Sequence, residues 1–337
     1  MNSAVVRVAD PPGIPSPLPE TSKLEPGDAT SPKREAHRSS AQGRQQKFIK
    51  QAVAIEQASA QEAGMLGYMS RVLVQATMPH RATSARQFRR TNGELTVAIT
   101  ALGRFPLPFG TYPRLLLVWL TTEAVRKNTR EIVLGDSLSQ FMQSLGLLTT
   151  GGKWGTIPRF KTATLSLFSA AFSCFRESHA GSAEQQHAKF LHISDEYNLW
   201  WIPTERDPDT LWCSTVTLTE PFFREIVDRP VPVDLRAIKA LKQSPMALDL
   251  YCWLTYRTSY LKRPTMIPWA SLQAQFGAGY SASPHGLRDF RQAFIRETRK
   301  VLAIYPRAQI SAETKGLQLS PGRTHVARRE SLHLPSE

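Results

Sequence analysis

The sequence predicts an α+β fold on two observations, the order of elements near the C-terminus and the recurrence of that order earlier in the chain. Between Tyr251 and Val326 the pattern runs from an apolar helix through a short helix and a long basic helix to two strand-like runs. This succession is the layout of a winged helix-turn-helix domain. The sequence therefore predicts two tandem winged helix-turn-helix domains behind a disordered N-terminal tail.

The repeat that supports this prediction keeps a constant offset of 134 residues. Aligned at this offset are Trp119-Leu120-Thr121 with Trp253-Leu254-Thr255, Ile132-Val133 with Met266-Ile267, Leu138 with Leu272, and Met142 with Phe276. Apolar positions that keep their register over two halves indicate two related units. We predict an N-terminal domain over residues 95–229 and a C-terminal domain over residues 230–326, with the proline-rich run RPVPVD at the boundary.

The two ends of the chain have compositions that disfavour a packed core. Residues 1–44 contain seven of the 24 prolines together with many Ser and Thr, which predicts a disordered tail. Residues 45–94 are predicted to form a helical segment to about Val74 and then a basic linker containing Arg81, Arg86, Arg89 and Arg90. Residues 327–337 are predicted to be a flexible tail.

The N-terminal domain is predicted to begin with a strand at Leu95 and an apolar helix that starts near Pro113. The short strand EIVLG and a helix with a capping box at Ser137 and Gln140 follow. After the loop TTGGKWGT come a helix that runs into a strand, the strands AKFLHISD and LWCSTVTL, and the short helix EPFFREIVDRP. The helix LRAIKALKQ opens the C-terminal domain.

The long helix predicted over His285 to Ile304 has the features of a DNA-reading element. Its apolar face comprises Leu287, Phe290, Phe294, Val301 and Leu302. Residues 257–307 carry nine Lys or Arg and two acids, a charge of +7 that is half of the chain's +14. Arginine can pair with guanine and glutamine with adenine in a major groove, although a basic run can also be only a solvated face.

The candidate DNA contacts follow from helical geometry. Base contacts are predicted for His285, Arg288, Arg291, Gln292 and Arg296, where His285 contacts DNA or merely caps the helix. Phosphate contacts are predicted for Arg257, Lys262, Arg263, Ser281, Ser283, Arg299, Lys300, Lys315 and Arg323, where Ser281 and Ser283 have N-capping as their alternative role. Contacts from the N-terminal domain are predicted for Lys153, Arg159 and Lys161.

The overall composition bounds the partners and the compartment. A pI near 10.0 predicts a polyanionic partner, either nucleic acid or an anionic membrane surface. No apolar run approaches the roughly 20 residues that span a bilayer, and no secretory signal is recognised, so we expect a cytoplasmic protein without a membrane partner. The cysteines Cys174, Cys213 and Cys252 are predicted to be reduced core thiols.

The sequence contains no complete catalytic motif. The run from Gly146 to Lys153 resembles a phosphate loop, but its spacing is one residue too long and Trp154 replaces the Ser or Thr that coordinates magnesium. No histidine pair lies near a tyrosine, as a nicking nuclease requires, and no carboxylates have metal-ligand spacing. The sequence predicts no enzyme activity, no metal and no cofactor.

Several long motifs resemble the RepA-type replication initiators of bacterial plasmids. They are LGRFPLPFGTYPRLLLVWLTTEAVR, LGDSLSQFMQSLGL, TGGKWGTIPR, LWCSTVTL, FFREIVDRPVPVDLRAIKALKQSPMALDLYCWLTYR and LKRPTMIPWASLQAQFG. The resemblance implies two winged-helix domains, of which the C-terminal one reads repeated origin sequences (iterons) in double-stranded DNA. It also implies dimerisation and backbone contacts through the N-terminal domain, opening of an A·T-rich region, and recruitment of the host initiator and replicative helicase.

The sequence thus predicts a plasmid replication initiator that acts by binding rather than by chemistry. The alternative is a winged-helix transcriptional repressor, which occupies an operator without opening DNA. The two roles can coexist, since an initiator can repress its own gene. A rolling-circle nicking nuclease is the third interpretation, and the missing metal and tyrosine constellation disfavours it.

Overall fold

A computed structural model of the chain describes residues 32–75, 78–180, 183–201 and 214–326. The helices within these ranges are α1 (Pro32–Gln57), α2 (Arg71–Gln75), α3 (Thr111–Lys127), α4 (Leu138–Ser144), α5 (Thr156–Phe168), α6 (Glu220–Asp228), α7 (Leu235–Leu241), α8 (Pro245–Thr258), α9 (Trp269–Phe276) and α10 (Pro284–Ile304). The strands are β1 (Leu66–Met69), β2 (Gln87–Asn92), β3 (Leu95–Ala101), β4 (Glu131–Val133), β5 (Ala170–Ala180), β6 (Ala183–His192), β7 (Ser194–Asn198), β8 (Thr215–Leu218), β9 (Val231–Asp234), β10 (Thr265–Pro268), β11 (Ile310–Ala312) and β12 (Gly316–Leu319). The predicted α+β class is confirmed.

The order of elements occurs twice along the chain. In the first copy, α3, β4, α4 and α5 are followed by β7 and β8, which form an antiparallel sheet of order β4-β8-β7. In the second copy, α8, β10, α9 and α10 are followed by β11 and β12, with sheet order β10-β12-β11. In both copies the strand after the first helix pairs with the last strand, so the two sheets have the same connectivity.

The first copy differs from the second by an inserted hairpin. Strands β5 and β6 leave the third helix and join a four-stranded antiparallel sheet of order β2-β3-β5-β6. Strand β3 alternates buried and half-buried side chains, and Val97 and Ile99 are among its most buried. This alternation is the period-2 pattern of a strand with one face on the core.

The helices keep the predicted offset of 134 residues, whereas the strands do not. Leu138 and Leu272 are both buried, as are Met142 and Phe276. In the strands, however, Ile132 is 1% exposed while its aligned partner Met266 is 40% exposed, and Ile267 packs on the core instead. Because side chains alternate between the two faces of a strand, a shift by one residue exchanges the buried and exposed sets.

Helix starts follow the local capping chemistry. The hydroxyl oxygen of Ser137 accepts a hydrogen bond from the backbone N–H of Gln140 at 3.2 Å, which is half of the predicted capping box. Thr219 caps α6 in the same way through the N–H of Phe222 at 3.2 Å. Such side chains satisfy backbone donors that have no partner within the helix.

Two sequence predictions near the N-terminus differ from the structure. Residues 32–44 of the predicted disordered tail belong to α1, because Ala, Gln, Lys and Arg favour a helix once Pro32 occupies its first position. Residues 1–31 of that tail, the predicted tail 327–337 and Cys213 lie outside the described residues. Within the predicted linker, β2 pairs with β3.

The proline-rich run RPVPVD contains a strand rather than a free connection. Strand β9 pairs antiparallel with β1. Strand β1 itself lies in the segment before Val74 that the sequence predicts to be helical. The pairing is possible because only Pro232 lacks a backbone N–H, and the alternate residues Val231 and Val233 supply a buried face. The chain from Gln46 onward forms one compact unit, so the core continues across the predicted domain boundary.

A buried ion pair joins the first helices of the two copies. The guanidinium of Arg114 on α3 donates to both carboxylate oxygens of Asp249 on α8, at 2.7 and 2.8 Å. The ring of His80 lies 2.7 Å from the same carboxylate. Burial by itself would raise the pKa of Asp249, but the charge of Arg114 and the hydrogen bonds from His80 and Arg114 lower it to about 2.

Candidate nucleic-acid interface

The long helix α10 separates an apolar face from a polar one. Phe290, Phe294 and Val301 are fully buried, and Leu287 and Leu302 are partly buried and packed on the core. The helix begins at Pro284, where the hydroxyl of Ser283 accepts the backbone N–H of Gly286 at 3.1 Å. The apolar face is therefore the one that the sequence predicts, and it fixes which side chains face solvent.

One stripe of the exposed face carries four of the five predicted base contacts. His285, Arg288, Gln292, Arg296 and also Arg299 are exposed, and their spacing of three or four residues places them on one side of the helix. We call this set the α10 stripe. Its first turn is ordered by contacts between Arg288 Nη2 and His285 Nδ1 at 2.8 Å and between His285 Nε2 and Asp289 Oδ2 at 3.4 Å.

Arg291, the fifth predicted base contact, lies beside the stripe rather than on it. Its guanidinium stacks over the ring of Trp269 at 5.1 Å, and its Nη2 donates to the carbonyl of Glu313 at 3.3 Å. The indole N–H of Trp269 donates to the same carbonyl at 3.0 Å. Both side chains thus hold the turn between β11 and β12 against the start of α9.

The turn between β11 and β12 brings Lys315 to the surface near α10. Lys315 is exposed, and the backbone N–H of Trp269 donates to its carbonyl at 3.4 Å. Glu313 is the acid of this turn, and its carboxylate accepts from the hydroxyl of Ser311 at 2.6 Å. A lysine on a turn held by two side-chain contacts is suited to a phosphate contact, which needs charge at a defined place.

A buried carboxylate reduces the free charge in the second half of α10. Glu297 accepts from Lys300 at 2.7 Å and from Arg296 at 3.1 Å, and its side chain is only 8% exposed. Burial would raise its pKa, but hydrogen bonds from Lys300, Ser244 and Arg296 and the charge of Lys300 lower it. Glu297 therefore offsets part of the positive charge that Arg296, Arg299 and Lys300 bring to this half of the helix.

The remaining predicted phosphate contacts of the second copy lie at its loops. Lys262 and Arg263 are exposed before β10, and Arg323 is exposed near the end of the described chain. Arg257 donates to the hydroxyl of Tyr260 at 2.7 Å and lies over its ring at 5.2 Å. Ser281 and Ser283 are exposed and contact each other through their hydroxyls at 2.7 Å. Because the hydroxyl of Ser283 also accepts the backbone N–H of Gly286, Ser283 has the predicted capping role.

The first copy presents less charge on its third helix. Arg159 is tied to the loop before α5, since it donates to the carbonyls of Gly155 at 3.1 Å and Trp154 at 3.0 Å. Lys161 lies over the ring of Trp201 at 5.7 Å, and Lys153 lies over the ring of Trp154 at 5.4 Å. Trp154 is 80% exposed. Two of the three basic side chains in this part of the first copy therefore lie over tryptophan rings.

Sequence reasoning missed the contacts that restrain these side chains. Trp269, Glu297 and the Arg114–Asp249 pair were not singled out, although each determines where a charge is free or buried. The run GGKWG did carry a signal for Trp154, because a tryptophan between glycines and a lysine has no apolar neighbours to bury it. Arg90, predicted in a linker, is 2% exposed, and burial lowers its pKa to about 10.

Two general features of the described residues bear on the site. No group of three or more His, Cys, Asp or Glu within them is arranged to hold a metal ion. None of the described helices is both long and apolar enough to cross a bilayer.

Cys174 and Cys252 are buried and unpaired, and burial raises the pKa of Cys174 to about 11.

Comparison with known proteins gives a family and two structural neighbours. The crystal structure of selenomethionine derivatives of domains 2 and 3 of RctB is similar with a TM-score of 0.49 and 12% identity, covering 77% of this chain and 97% of that chain. A second structure of RctB domains 2–3 has a TM-score of 0.41 and 12% identity, covering 68% and 82%. No curated protein matches the sequence.

The family match lies in the centre of the chain. Residues 107–269 match the family described as plasmid encoded RepA protein. This span contains the helices of the first copy and runs to the first residue of α9, while α10 lies beyond it. This match covers just under half of the chain, and it confirms the resemblance to RepA-type plasmid replication initiators.

Proposed function

We propose that this protein initiates plasmid replication by binding repeated sequences in double-stranded origin DNA through the α10 stripe. The observation that carries the proposal is the stripe itself, where exposed Arg and Gln side chains project from one side of a helix whose opposite face is buried. The family match supports the replication role. The second copy is then a winged helix with α10 as its reading helix and β11–β12 as its wing.

Base readout is assigned to the start of the stripe. Arg288 and Gln292 lie one turn apart, and both are exposed. Arginine can donate two hydrogen bonds to guanine, and glutamine can pair bidentately with adenine. Arg296 follows one turn later but is partly neutralised by Glu297. His285 takes part in the first-turn contacts and touches a base or orients Arg288.

Phosphate contacts hold the duplex in register around this readout. The proposed residues are Arg257, Lys262, Arg263, Ser281, Arg299, Lys300, Lys315 and Arg323 around α10, and Lys153, Arg159 and Lys161 in the first copy. Such contacts position the protein without reading sequence, and their number sets the salt dependence of binding. We further propose that the first copy forms the homodimer contact, in line with the family resemblance.

The protein acts mechanically in this proposal. Several molecules bind tandem sites, and the summed free energy of binding and bending helps to open neighbouring A·T-rich DNA. The host initiator and the replicative helicase would then bind the separated strands in the cytoplasm. No group in this scheme performs covalent chemistry, so no cofactor is required.

The direct test is selection of bound duplexes from a random-sequence library by the purified protein. We expect a preferred sequence, and we expect Arg288→Ala to relax the preference at one position. Arg224→Ala is the matched control, since Arg224 is an exposed arginine on α6 that pairs with Glu220 of the same helix. An Arg288→Ala variant with unchanged affinity and unchanged preference would show that α10 is not the reading helix.

A transcriptional repressor with the same DNA-reading geometry is the second candidate, because the α10 stripe serves either role equally well. The two are separated on a supercoiled plasmid that carries the selected site beside an A·T-rich segment. An initiator makes the thymines of that segment reactive to permanganate, whereas a repressor protects its site only. Relaxation of the plasmid with a divalent metal present would instead indicate nicking.

A further inference from the structure

Lys239 and Lys242 at the end of α7 lie beside the turn that separates α4 from α5 in the first copy, and the charge of Lys47 on α1 acts on Lys242. Lys242, at the end of α7, donates from Nζ to the carbonyl of Gly146 on this turn. A Cβ placed on Gly146 would meet Lys242 Nζ and Lys239 Cγ, each at 3.4 Å. Gly146 has a φ of 72°, so the residue that allows this close approach is also one that the backbone requires to be glycine.

The third lysine comes from α1, outside the segment that matches the family. Arg236 on α7 connects this helix to the end of α1, because its guanidinium donates to the carbonyls of Ala54 at 3.1 Å and Ala58 at 2.7 Å. Lys47 lies two turns before Ala54 on α1 and is exposed. Burial first, and then the charges of Lys47 and Lys239, lower the pKa of Lys242.

The charges of Lys47, Lys239 and Lys242 act on one another, and among the described residues no carboxylate pairs with any of the three. None of Lys47, Lys239 and Lys242 lies within ion-pair distance of a described carboxylate, whereas Lys127, Lys189 and Lys300 all do. Like charges at short range raise the energy of the folded protein, most strongly where solvent is partly excluded. A bound anion would remove this repulsion, so the arrangement favours an anionic ligand.

The position of these lysines indicates which anion they bind. The adjacent turn connects α4 to α5, as the turn with Ser281 and Ser283 connects α9 to α10 in the second copy. Lys153 lies further along the same turn and adds another positive charge. In helix-turn-helix proteins the helix before this turn crosses the sugar-phosphate backbone of duplex DNA, so the turn lies close to phosphates.

We propose that Lys47, Lys239 and Lys242 bind a backbone phosphate of the duplex that the protein occupies, with α1 and α7 completing the DNA contact of the first copy. This inference rests on the proposed function. It makes α1, which precedes the family match, part of the DNA-binding surface. It also predicts contact to the duplex without any reading of bases there.

The test compares Lys47→Gln/Lys239→Gln with Lys127→Gln, a single neutralisation of a lysine already paired with Glu123 on α3. Lys242 is left in place because it contacts Gly146. Affinity for a selected duplex of about 40 base pairs, roughly four helical turns, is measured over a series of KCl concentrations. We expect the double variant to bind about tenfold more weakly at low salt, with a log–log salt slope smaller by about 1 to 2 and an unchanged base preference.

Each other result has a definite meaning. A double variant with the affinity and slope of Lys127→Gln overturns the phosphate assignment while leaving the proposed function intact. A changed base preference with an unchanged slope, or an altered circular dichroism spectrum, means that the lysines are structural and also overturns it. Loss of binding to phosphatidylglycerol vesicles with DNA affinity retained assigns these lysines to a lipid surface. Wild-type protein that binds no duplex overturns both proposals.

Discussion

The third helices of the two copies, α5 and α10, occupy the same place in the order of elements but expose different chemistry. On α10, five Arg, Gln and His side chains form one exposed stripe. On α5, Arg159 is bound to its own loop and Lys161 lies over Trp201. A duplicated arrangement of helices therefore does not duplicate a binding surface, because the function of each copy depends on which polar side chains its neighbours leave free.

The largest expected effect concerns the ion pair that joins the two copies. Asp249→Ala leaves the buried guanidinium of Arg114 without its counter-charge, and we expect a loss of about 3–5 kcal/mol in the free energy of unfolding. Urea denaturation measures the loss. The double variant Arg114→Met/Asp249→Leu is the control and should be the more stable of the two. A single variant as stable as the wild type would mean that this pair does not hold the copies together.

The same pair predicts an acid-dependent stability. The pKa of Asp249 is lowered to about 2 from the ordinary value of 3.8, so its contribution is present above that ordinary value and is lost as the pH falls toward about 2. Between pH 3.8 and about 2, the free energy of unfolding should fall more steeply in the wild type than in Arg114→Met/Asp249→Leu, which lacks this proton uptake, as urea denaturation at each pH would show. Equal dependence on pH in both proteins would contradict the assignment.

The comparison of the two third helices is tested by Arg288→Ala against Arg159→Ala. Arg288→Ala should cost about 1–3 kcal/mol in binding free energy and relax the preference at one base pair. Arg159→Ala should leave the base preference unchanged, because that side chain is already engaged. Both are measured by titration of the selected duplex and of a set of single base-pair variants. The reverse pattern would assign base readout to the first copy.

Arg291 allows a finer test, since it touches both Trp269 and the carbonyl of Glu313. Arg291→Ala is expected to weaken binding by about 1–3 kcal/mol. Trp269→Phe keeps the ring beneath Arg291 but removes the indole donor to the Glu313 carbonyl. If Arg291 reads a base, only Arg291→Ala changes the base preference. If both variants weaken binding to all duplexes alike, Arg291 acts by holding the turn.

The smallest effect is expected at the turn between β11 and β12. Lys315→Ala removes an exposed charge without disturbing a hydrogen bond of its side chain. Binding should weaken about equally on every sequence, and the log–log salt slope should fall by about 1. A sequence-dependent effect would instead indicate that this turn enters a groove.

The sequence was sufficient for features that depend on local patterns. The face of α10 and the position of Ser137 follow from helical spacing and capping, and both agree with the structure. Strands β1, β2 and β9 were missed because each is short and gains its stability from a partner elsewhere in the chain. The engagement of Arg291 by Trp269 was also beyond the sequence, because the two residues meet only after α9 and α10 have packed.

The pairing of β1 with β9 constrains how the protein can lie on DNA. Strand β9 stands between the last helix of the first copy and α7, and the Arg114–Asp249 pair joins the first helices of the two copies, so we expect the copies to move together. If both copies contact one duplex, as proposed, the distance between the two contacted segments is then set by the protein. An insertion of about five base pairs between those segments, half a helical turn, would move one of them to the far side of the duplex. Each binding site for this protein should therefore tolerate base changes between its two contacted segments far better than changes in its length.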